Sequence, residues 1–308
     1  MNSGPASSAN VGKNPCFGVV GCPLGASSTL VPIAFGGVRL TTEDVQSLLG
    51  KGLDVDGNGT VDIPGFGYKR FQTFSGNGIG DVITGFRYQY LRTEDWRLAF
   101  TGAVRFPSGK VEDPDNLTDA AFGIGTYSLL FHLNNDFVIS NLWRGTRKSP
   151  AEGALLAEPG DLVVNGTFRY EVLLPDKQKL RVPSNVNNPV TINKEKVNRD
   201  LGDVFEFEVS GKYTLLQGLD FSALYKYGFN LKDRVSGKLG FAYNSLEEET
   251  RRMEQIYIIG LSYTTIPLYG EKKFFLPMTA SISYRNRFAG NNNYQRAQYI
   301  GTGLQFFF

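Results

Sequence analysis

The sequence predicts an all-β protein, a single closed antiparallel barrel whose strands cross a membrane. Long stretches alternate apolar and polar side chains, as the two faces of a strand require. These stretches have about 11 to 15 residues, whereas soluble strands usually have about 5 to 6 and a tilted membrane strand needs about 9–11. Phe, Tyr and Trp, 13% of the chain, cluster near the strand ends, as membrane-interface girdles do.

The first strand after residue 78 illustrates the pattern, because Val82, Phe86 and Tyr88 alternate with Arg87 and Gln89. Eleven such strands are predicted, at 79–92, 95–107, 121–132, 136–146, 161–174, 178–187, 203–216, 218–231, 251–266, 275–288 and 294–308. Since bacterial barrels have even strand numbers, residues 1–78 should supply at least one more, with 28–40 and 68–74 as candidates. We therefore expect about 12 strands, with 14 as the alternative.

The predicted connections fall into two length classes that alternate along the chain. Short ones are 93–95, 133–135, 175–177, 217–218 and, somewhat longer, 267–274, whereas long ones are 107–120, 145–160, 188–202 and 232–249. Outer-membrane barrels keep short turns in the periplasm and long loops outside. The last strand should therefore end in the periplasm. The expected organisation is an N-terminal segment at 1–78 and a barrel at 79–308.

Charge and hydropathy exclude several classes of protein. The net charge of +2 and the lack of a block of like charges argue against a nucleic-acid partner. No run of about 18 apolar residues could form a membrane-spanning helix. The polar start contains no signal peptide. If the protein is exported, we expect the sequence to be a mature form or one with a replaced start.

Residues 41–65 predict a short helix followed by a calcium-like loop. Thr41 can cap a helix that has acids in its first turn and ends at Gly50. After the helix, oxygen ligands fall at positions 1, 3, 5, 7 and 9 of an EF-hand-type loop. These are the side chains of Asp54, Asp56, Asn58 and Asp62 and the carbonyl of Thr60. Position 12, usually Glu, is Gly65, so the sequence predicts weak Ca²⁺ binding, with a simple surface turn as the alternative.

Charged residues recur on the polar side of the strands and predict the lining of the lumen. They are Asp81, Arg87, Arg97, Arg105, Arg169, Glu171, Glu206, Glu208, Lys212, Lys226, Arg285 and Arg287. These residues could form a solute path or a lattice of ion pairs that fills a narrow barrel. Because both signs are present, a selectivity ring of a single sign is not expected.

Cysteine and histidine usage bears on redox state and catalysis. Cys16 and Cys22 lie close together and could form a disulfide in an oxidising compartment, or stay as two free thiols in a leader. The single histidine, His132, is predicted at the periplasmic end of a strand, in a solvated turn. No nucleophile, base and acid form a recognisable set, so an enzyme is not expected.

Two sequence features resemble known outer-membrane proteins. Leu304, Phe306 and Phe308 resemble the C-terminal signal that the barrel-assembly machinery reads, with apolar residues at every second position. The segments GIGDVITGFRYQY (78–90) and VRFPSGKVEDPDN (104–116) resemble outer-membrane barrels of the phenol meta-pathway type, relatives of fatty-acid and aromatic-hydrocarbon transporters. The likeness covers residues 75–308 but not 1–70, where those transporters carry a plug.

The resemblance implies uptake of small hydrophobic or aromatic molecules across the outer membrane of a Gram-negative bacterium. Outer-membrane lipid and the assembly machinery are the expected partners. The alternative is a structural or porin-like barrel that sheathes a protein in its lumen or binds one with its loops. A continuous lumen without a plug would favour a porin or sheath, and an apolar pocket near the outer mouth would favour the transporter.

Overall fold

The structure is a computed structural model that describes residues 41–55, 57–72, 76–93, 95–143, 159–187, 190–292 and 295–307. The chain is mostly β-structure in antiparallel sheets, with short helices. The N-terminal part has helix α1 (Thr42–Leu49) and the two-stranded pair β1 (Gly52–Leu53) and β2 (Ile63–Pro64). Short helical turns also occur at Ile139–Leu142, at Tyr243–Leu246 and in α2 (Ile266–Gly270).

A large antiparallel sheet dominates the fold. Its nine strands are β3 (Val82–Arg92), β4 (Trp96–Phe106), β5 (Ser128–Val138), β6 (Leu162–Leu173), β9 (Val204–Leu216), β10 (Leu219–Asn230), β12 (Arg252–Thr264), β13 (Met278–Asn291) and β14 (Ala297–Phe306). They lie side by side in chain order, so nearly every strand pairs with its neighbours in the sequence. In the part of the chain that the structure describes, β3 and β14 are the two edges and no pairing closes the sheet.

A second sheet of three strands forms within the connections of the large one. It consists of β7 (Asp176–Arg181), β8 (Lys194–Asp200) and β11 (Arg234–Ser236). Val182 and Val197 are fully buried and, with Val235, make its small core, against which Phe241 and Leu246 pack. Burial of these apolar side chains stabilises a compact cap of loops beside the sheet.

The connections define two ends of the large sheet. Residues 93–95, 139–161, 217–218 and 265–277 link strands at one end, which we call the turn end, and β14 also finishes there. Residues 107–127, 174–203, 231–251 and 292–296 link strands at the other end, the loop end, where the three-stranded sheet lies. The connection between β5 and β6, residues 139–161, is long although it joins the strands at the turn end, which differs from the strict length alternation that the sequence predicts.

Cross-strand pairing assigns every paired residue of the large sheet to one of two faces. One face, the polar face, contains the charged residues of all the strands that have any. The other, the apolar face, has no Asp, Glu, Lys, Arg or His at any paired position of its described residues. Its side chains are nevertheless exposed, for example Phe86 at 63%, Val209 at 55% and Ile300 at 75%.

Two strand predictions after residue 78 are wrong, and they explain why nine strands replace the expected eleven. The segments 121–132 and 136–146 are not separate strands, because β5 runs straight through the supposed turn at 133–135. Asn134 and Asp136 point to the polar face, where Thr167 and Arg97 contact them, so they fit within a strand. The segment 178–187 does not join the large sheet, since β7 pairs only with β8.

The N-terminal predictions have mixed outcomes. The short helix is confirmed, with Thr41 as its N-cap and Asp44 completing a capping box. The described part of the strand candidate 68–74, residues 68–72, is not a strand. The other candidate, 28–40, lies outside the described residues. The expected total of 12 or 14 strands is therefore not reached among the residues that the structure describes.

Candidate functional site

The predicted lumen residues lie together on the polar face of the large sheet. Eleven of them share this face through direct cross-strand pairing: Arg87, Arg97, Arg105, Arg169, Glu171, Glu206, Glu208, Lys212, Lys226, Arg285 and Arg287. Asp81 comes just before β3 and has another role. Its carboxylate accepts hydrogen bonds from the backbone N–H groups of Gly109 (3.0 Å) and Ile124 (2.8 Å). Asp81 therefore anchors the connection 107–127 to the start of β3.

A chain of alternating charges crosses five neighbouring strands of the polar face. Arg169 of β6 binds Glu206 of β9 at 3.0 Å, and Lys226 of β10 binds the same carboxylate. Lys226 also lies 4.0 Å from Glu254 of β12, which binds Arg287 of β13 at 3.2 Å. Each carboxylate thus has two cations beside it, which offsets the free energy lost on partial desolvation. This part of the face is a lattice of ion pairs.

Positive and negative charges are less well matched on the part of the polar face formed by β3, β4 and β5. On β4, Arg105 binds Glu171 at 3.2 Å and Arg97 lies 3.5 Å from Asp136. Among the described residues, Arg87 forms no ion pair. A pocket of about 310 Å³ opens here between β3, β4 and β5, and it is lined by Arg87, Gln89, Arg97, Ala99, Asn134 and Asp136. Positive charge therefore exceeds negative charge around this pocket.

A larger pocket of about 470 Å³ lies at the loop end, between the connections and the three-stranded sheet. Much of its wall is apolar, formed by Val111, Pro114, Leu117, Ala121, Ile124, Leu180, Pro183, Val186 and Leu246. The acceptor Gln178 Oε1 is buried and has no hydrogen-bond partner among the described residues. Glu112 and Glu248 are exposed at the pocket. The pocket suits a small, mainly apolar molecule with a few polar groups.

Arg181 fixes the wall of this loop-end pocket. Its side chain is 6% exposed, and its guanidinium stacks 3.8 Å above the ring centre of Tyr68 and binds Asp115 at 2.7 Å. It also donates to the backbone carbonyls of Phe66 (2.7 Å), Gly67 (2.8 Å) and Thr191 (2.6 Å). One buried side chain thus ties the N-terminal segment to the connection 107–127 and to the three-stranded sheet.

Salt bridges around Asp115 strengthen the same junction. Lys194 binds Asp115 at 2.5 Å, and Lys69 binds Asp113 at 2.5 Å. Partial burial opposes ionisation of Asp115, but the hydrogen bonds from Lys194 and Arg181 outweigh it and lower its pKa. The hydrogen bond from Lys69 lowers the pKa of Asp113. Both carboxylates are therefore ionised well into the acid range.

The calcium-like loop adopts a tight turn around Asp54. Its carboxylate accepts hydrogen bonds from the N–H groups of Gly57 and Gly59, both at 2.7 Å, and both glycines have positive φ. Asp62 accepts from the N–H of Val55 at 2.7 Å, and Asn58 accepts from that of Thr60. Asp56 lies outside the described residues. Calcium binding by Asp54, Asp56, Asn58, Thr60 and Asp62 stays a prediction.

The backbone explains why position 12 of the loop is glycine. A Cβ on Gly65 would lie 2.3 Å from the carbonyl oxygen of Gly50 and 2.3 Å from the amide nitrogen of Gly52. The close approach of β1 to β2 therefore excludes any side chain at this position. The loop cannot supply the bidentate glutamate of an EF-hand from here.

The remaining predicted residues have definite positions or lie outside the described part. His132 is not in a turn; it lies mid-strand in β5, paired with Thr101 and Arg169 on the polar face. Leu304 and Phe306 lie on β14, on the apolar face. Cys16, Cys22 and Phe308 lie outside the described residues, so the disulfide and the final position of the assembly signal stay predictions.

Comparison with known proteins adds no family to this picture. No protein-family model matches the chain, and a search of curated proteins finds no match. The resemblance to barrels of the phenol meta-pathway type therefore depends on the two segments quoted above. Among the described residues, none of the helices combines the length and the apolar character that a membrane crossing requires.

Little in the sequence predicts the loop-end junction. Residues 194–200 (KEKVNRD) have only one apolar residue, so their strand has no apolar alternation and resembles a loop. Arg181 belongs to the segment 178–187, which the sequence predicts as a strand of the barrel wall. Its buried role depends on Tyr68 and Asp115, which are 113 and 66 positions away, and no local pattern predicts such a contact.

Proposed function

We propose that this protein is an outer-membrane β-barrel that admits small hydrophobic or aromatic molecules. The charge-free apolar face of the nine strands carries this proposal. Soluble proteins rarely expose a large continuous apolar surface, whereas a lipid-facing barrel wall must be uncharged across its apolar band. In this assignment outer-membrane lipid covers the apolar face and the polar face lines the lumen.

Strand length and end structure support the same assignment. The strands of the large sheet have 10 to 14 residues, and a tilted strand needs about 9–11 to cross a bilayer. Two tight turns, 93–95 and 217–218, lie at the turn end together with the end of β14. We therefore assign the turn end to the periplasm and the loop end to the outside.

The loop-end pocket supports uptake rather than a purely structural role. It lies at the outer mouth in this orientation, and its apolar wall can desolvate a small hydrophobic solute. Leu117 is 51% exposed and lines this pocket. Leu239 is 61% exposed in another loop-end connection and does not line it. The two leucines therefore make a matched pair for an experiment.

The test is uptake of labelled toluene by Gram-negative cells that express the full chain behind a secretion signal, either as the wild type or with Leu117→Arg or Leu239→Arg. We expect the wild-type chain and Leu239→Arg to raise uptake above that of cells without the protein, and Leu117→Arg to lose most of the gain. Surface levels of folded protein are matched by immunoblot. Equal uptake in all strains would contradict transport, and a protein found only in soluble fractions would contradict the membrane assignment.

A further inference from the structure

The pocket between β3, β4 and β5 has an excess of hydrogen-bond donors. Arg87 and Gln89 come from β3, Arg97 and Ala99 from β4, and Asn134 and Asp136 from β5. Ala99 is 8% exposed and has a small side chain, which leaves a depression between longer neighbours. The pocket therefore has a floor of one methyl group and a rim of guanidinium, amide and carboxylate groups.

The donors of this pocket are incompletely used by the protein. Arg97 lies 3.5 Å from Asp136, but its Nε is buried and has no hydrogen-bond partner among the described residues. Arg87 has no ion-pair partner in the same part of the chain. The side-chain oxygen of Asn134 accepts from Thr167 at 3.4 Å. An unpartnered buried donor is unfavourable unless a ligand or water satisfies it.

The charges around the pocket do not cancel. Two arginines and one aspartate leave a surplus of one positive charge, and Asp136 also accepts from Asn165. On the polar face of β3 and β4 the paired positions hold arginines but no acid. A single carboxylate would neutralise the surplus, and the planar guanidinium fork matches its geometry.

We propose that this pocket is a binding subsite for the carboxylate of a small organic acid that passes along the polar face. The inference rests on the proposed function, which it narrows to solutes with an apolar body and one carboxylate. Arg87 and the guanidinium group of Arg97 bind the carboxylate, while the loop-end pocket takes the apolar body before passage. The exposed Glu112 and Glu248 lie at the other pocket, where solvent screens their charge.

Binding is tested on the full chain folded in detergent, by calorimetric titration with benzoate, benzamide and inorganic phosphate. Benzoate and benzamide have nearly the same shape but differ in charge. We expect benzoate to bind and benzamide to bind at least about tenfold more weakly, because benzamide loses the hydrogen bonds to a charged group. Phosphate should also bind more weakly, because it has no apolar body. Equal binding of benzamide or of phosphate would overturn the assignment to a carboxylate.

Two substitutions locate the site. Arg87→Gln should weaken benzoate binding about tenfold, and Arg87→Lys, which keeps the charge without the fork, should lie between it and the wild type. Arg234→Gln removes an exposed charge from β11, in the three-stranded sheet, and should bind benzoate as the wild type does. If Arg87→Gln and Arg87→Lys bind benzoate as tightly as Arg234→Gln does, the inference is wrong.

Toluene uptake, measured in parallel, separates this inference from the proposed function. Uptake of toluene without benzoate binding would reject the carboxylate subsite and keep the transporter. Benzoate binding without any uptake would keep the subsite and reject transport. Arg87 is exposed and outside the ion-pair chain, so we expect both of its variants to fold.

Discussion

Neighbouring residues of β9 meet opposite environments at the middle of the strand. Val209 is on the apolar face and 55% exposed, whereas Ser210 is on the polar face, paired with Asn165 and Leu224. If lipid covers the apolar face, an arginine at 209 must enter hydrocarbon near the midplane of the membrane. An arginine at 210 would instead enter a polar surface that already contains Glu208 and Lys212.

We therefore expect Val209→Arg to reduce the free energy of unfolding in a bilayer by about 2–4 kcal/mol. Ser210→Arg should change it much less, because its charge is solvated in the lumen. Urea titrations of both variants folded into phospholipid vesicles measure the difference. A similar loss for the two substitutions would mean that the apolar face does not contact lipid.

At the scale of elements, Asp115 and Arg181 join three separate parts of the chain. The lowered pKa of Asp115 has a defined consequence for pH dependence, because its pKa in the folded protein lies below that of an ordinary aspartate. Such a group contributes stability that is present above its unfolded pKa and is lost as pH falls through its folded pKa. The junction should therefore be intact at neutral pH and should loosen only below about pH 4.

Hydrogen exchange of the full protein in detergent measures this loosening. Peptides covering 66–70 and 191–194 should gain deuterium faster below about pH 4, after correction for intrinsic exchange, while β9 and β10 stay protected. In Asp115→Asn the acid-induced change should be smaller, because one titrating carboxylate is gone. Some change should remain, since Asp113 and Asp119 still titrate. An unchanged acid response in that variant would show that other groups control the junction.

The calcium-like loop is a second element with a testable response. Asp54 and Asp62 already accept hydrogen bonds from the loop backbone, so the turn is formed by the protein itself. Because Gly65 excludes the usual glutamate, we expect weak affinity, in the range of about 10⁻⁴–10⁻³ M. Calcium should slow proteolysis within 50–66 relative to chelator and leave fragments of the large sheet unchanged. Asp54→Asn should abolish the difference; equal cleavage of the wild type with and without calcium would mean a simple turn.

Alternation predicts most of the strands because it depends only on neighbouring residues. The eight other predicted strands of the large sheet appear within a few residues of their expected bounds, but β5 shows the limit of the method. The residues Asn134-Asn135-Asp136 have turn chemistry when isolated. In the sheet, Asn135 donates to the carbonyl of Gly166 at 3.4 Å and Asp136 contacts Arg97. Those partners are distant in sequence, so only the folded sheet determines that these residues continue the strand.

The same limit applies to the candidate sites. Period-two register alone brings Arg87 and Arg97 to one face, and the sequence predicts this correctly. It does not predict which arginines have acidic partners, because this depends on strand order and on the merging of two predicted strands into β5. The imbalance near β3 and β4 becomes visible only when Asp136 and Glu171 are assigned to neighbouring strands.

For the whole molecule, strand direction determines how the large sheet could close. β3 and β14 both run from the loop end to the turn end, so they are parallel to each other. Direct pairing of these edges would give nine strands and one parallel contact. One additional strand running from the turn end to the loop end would pair antiparallel with both and give an even number, as bacterial barrels have. The predicted strand at 28–40 lies outside the described residues.

Closure of the large sheet into a barrel has a measurable consequence, whichever segment pairs with the edge strands β3 and β14. Lipid offers no hydrogen bonds to an open edge, so a membrane-spanning sheet must pair every backbone group. The amides of β3 and β14 that do not point at β4 and β13 should therefore exchange as slowly as central amides of β9. Residue-resolved hydrogen exchange in detergent micelles distinguishes a closed sheet from an open one. Fast exchange along β3 and β14 would mean an open sheet and would rule out a barrel that spans the membrane.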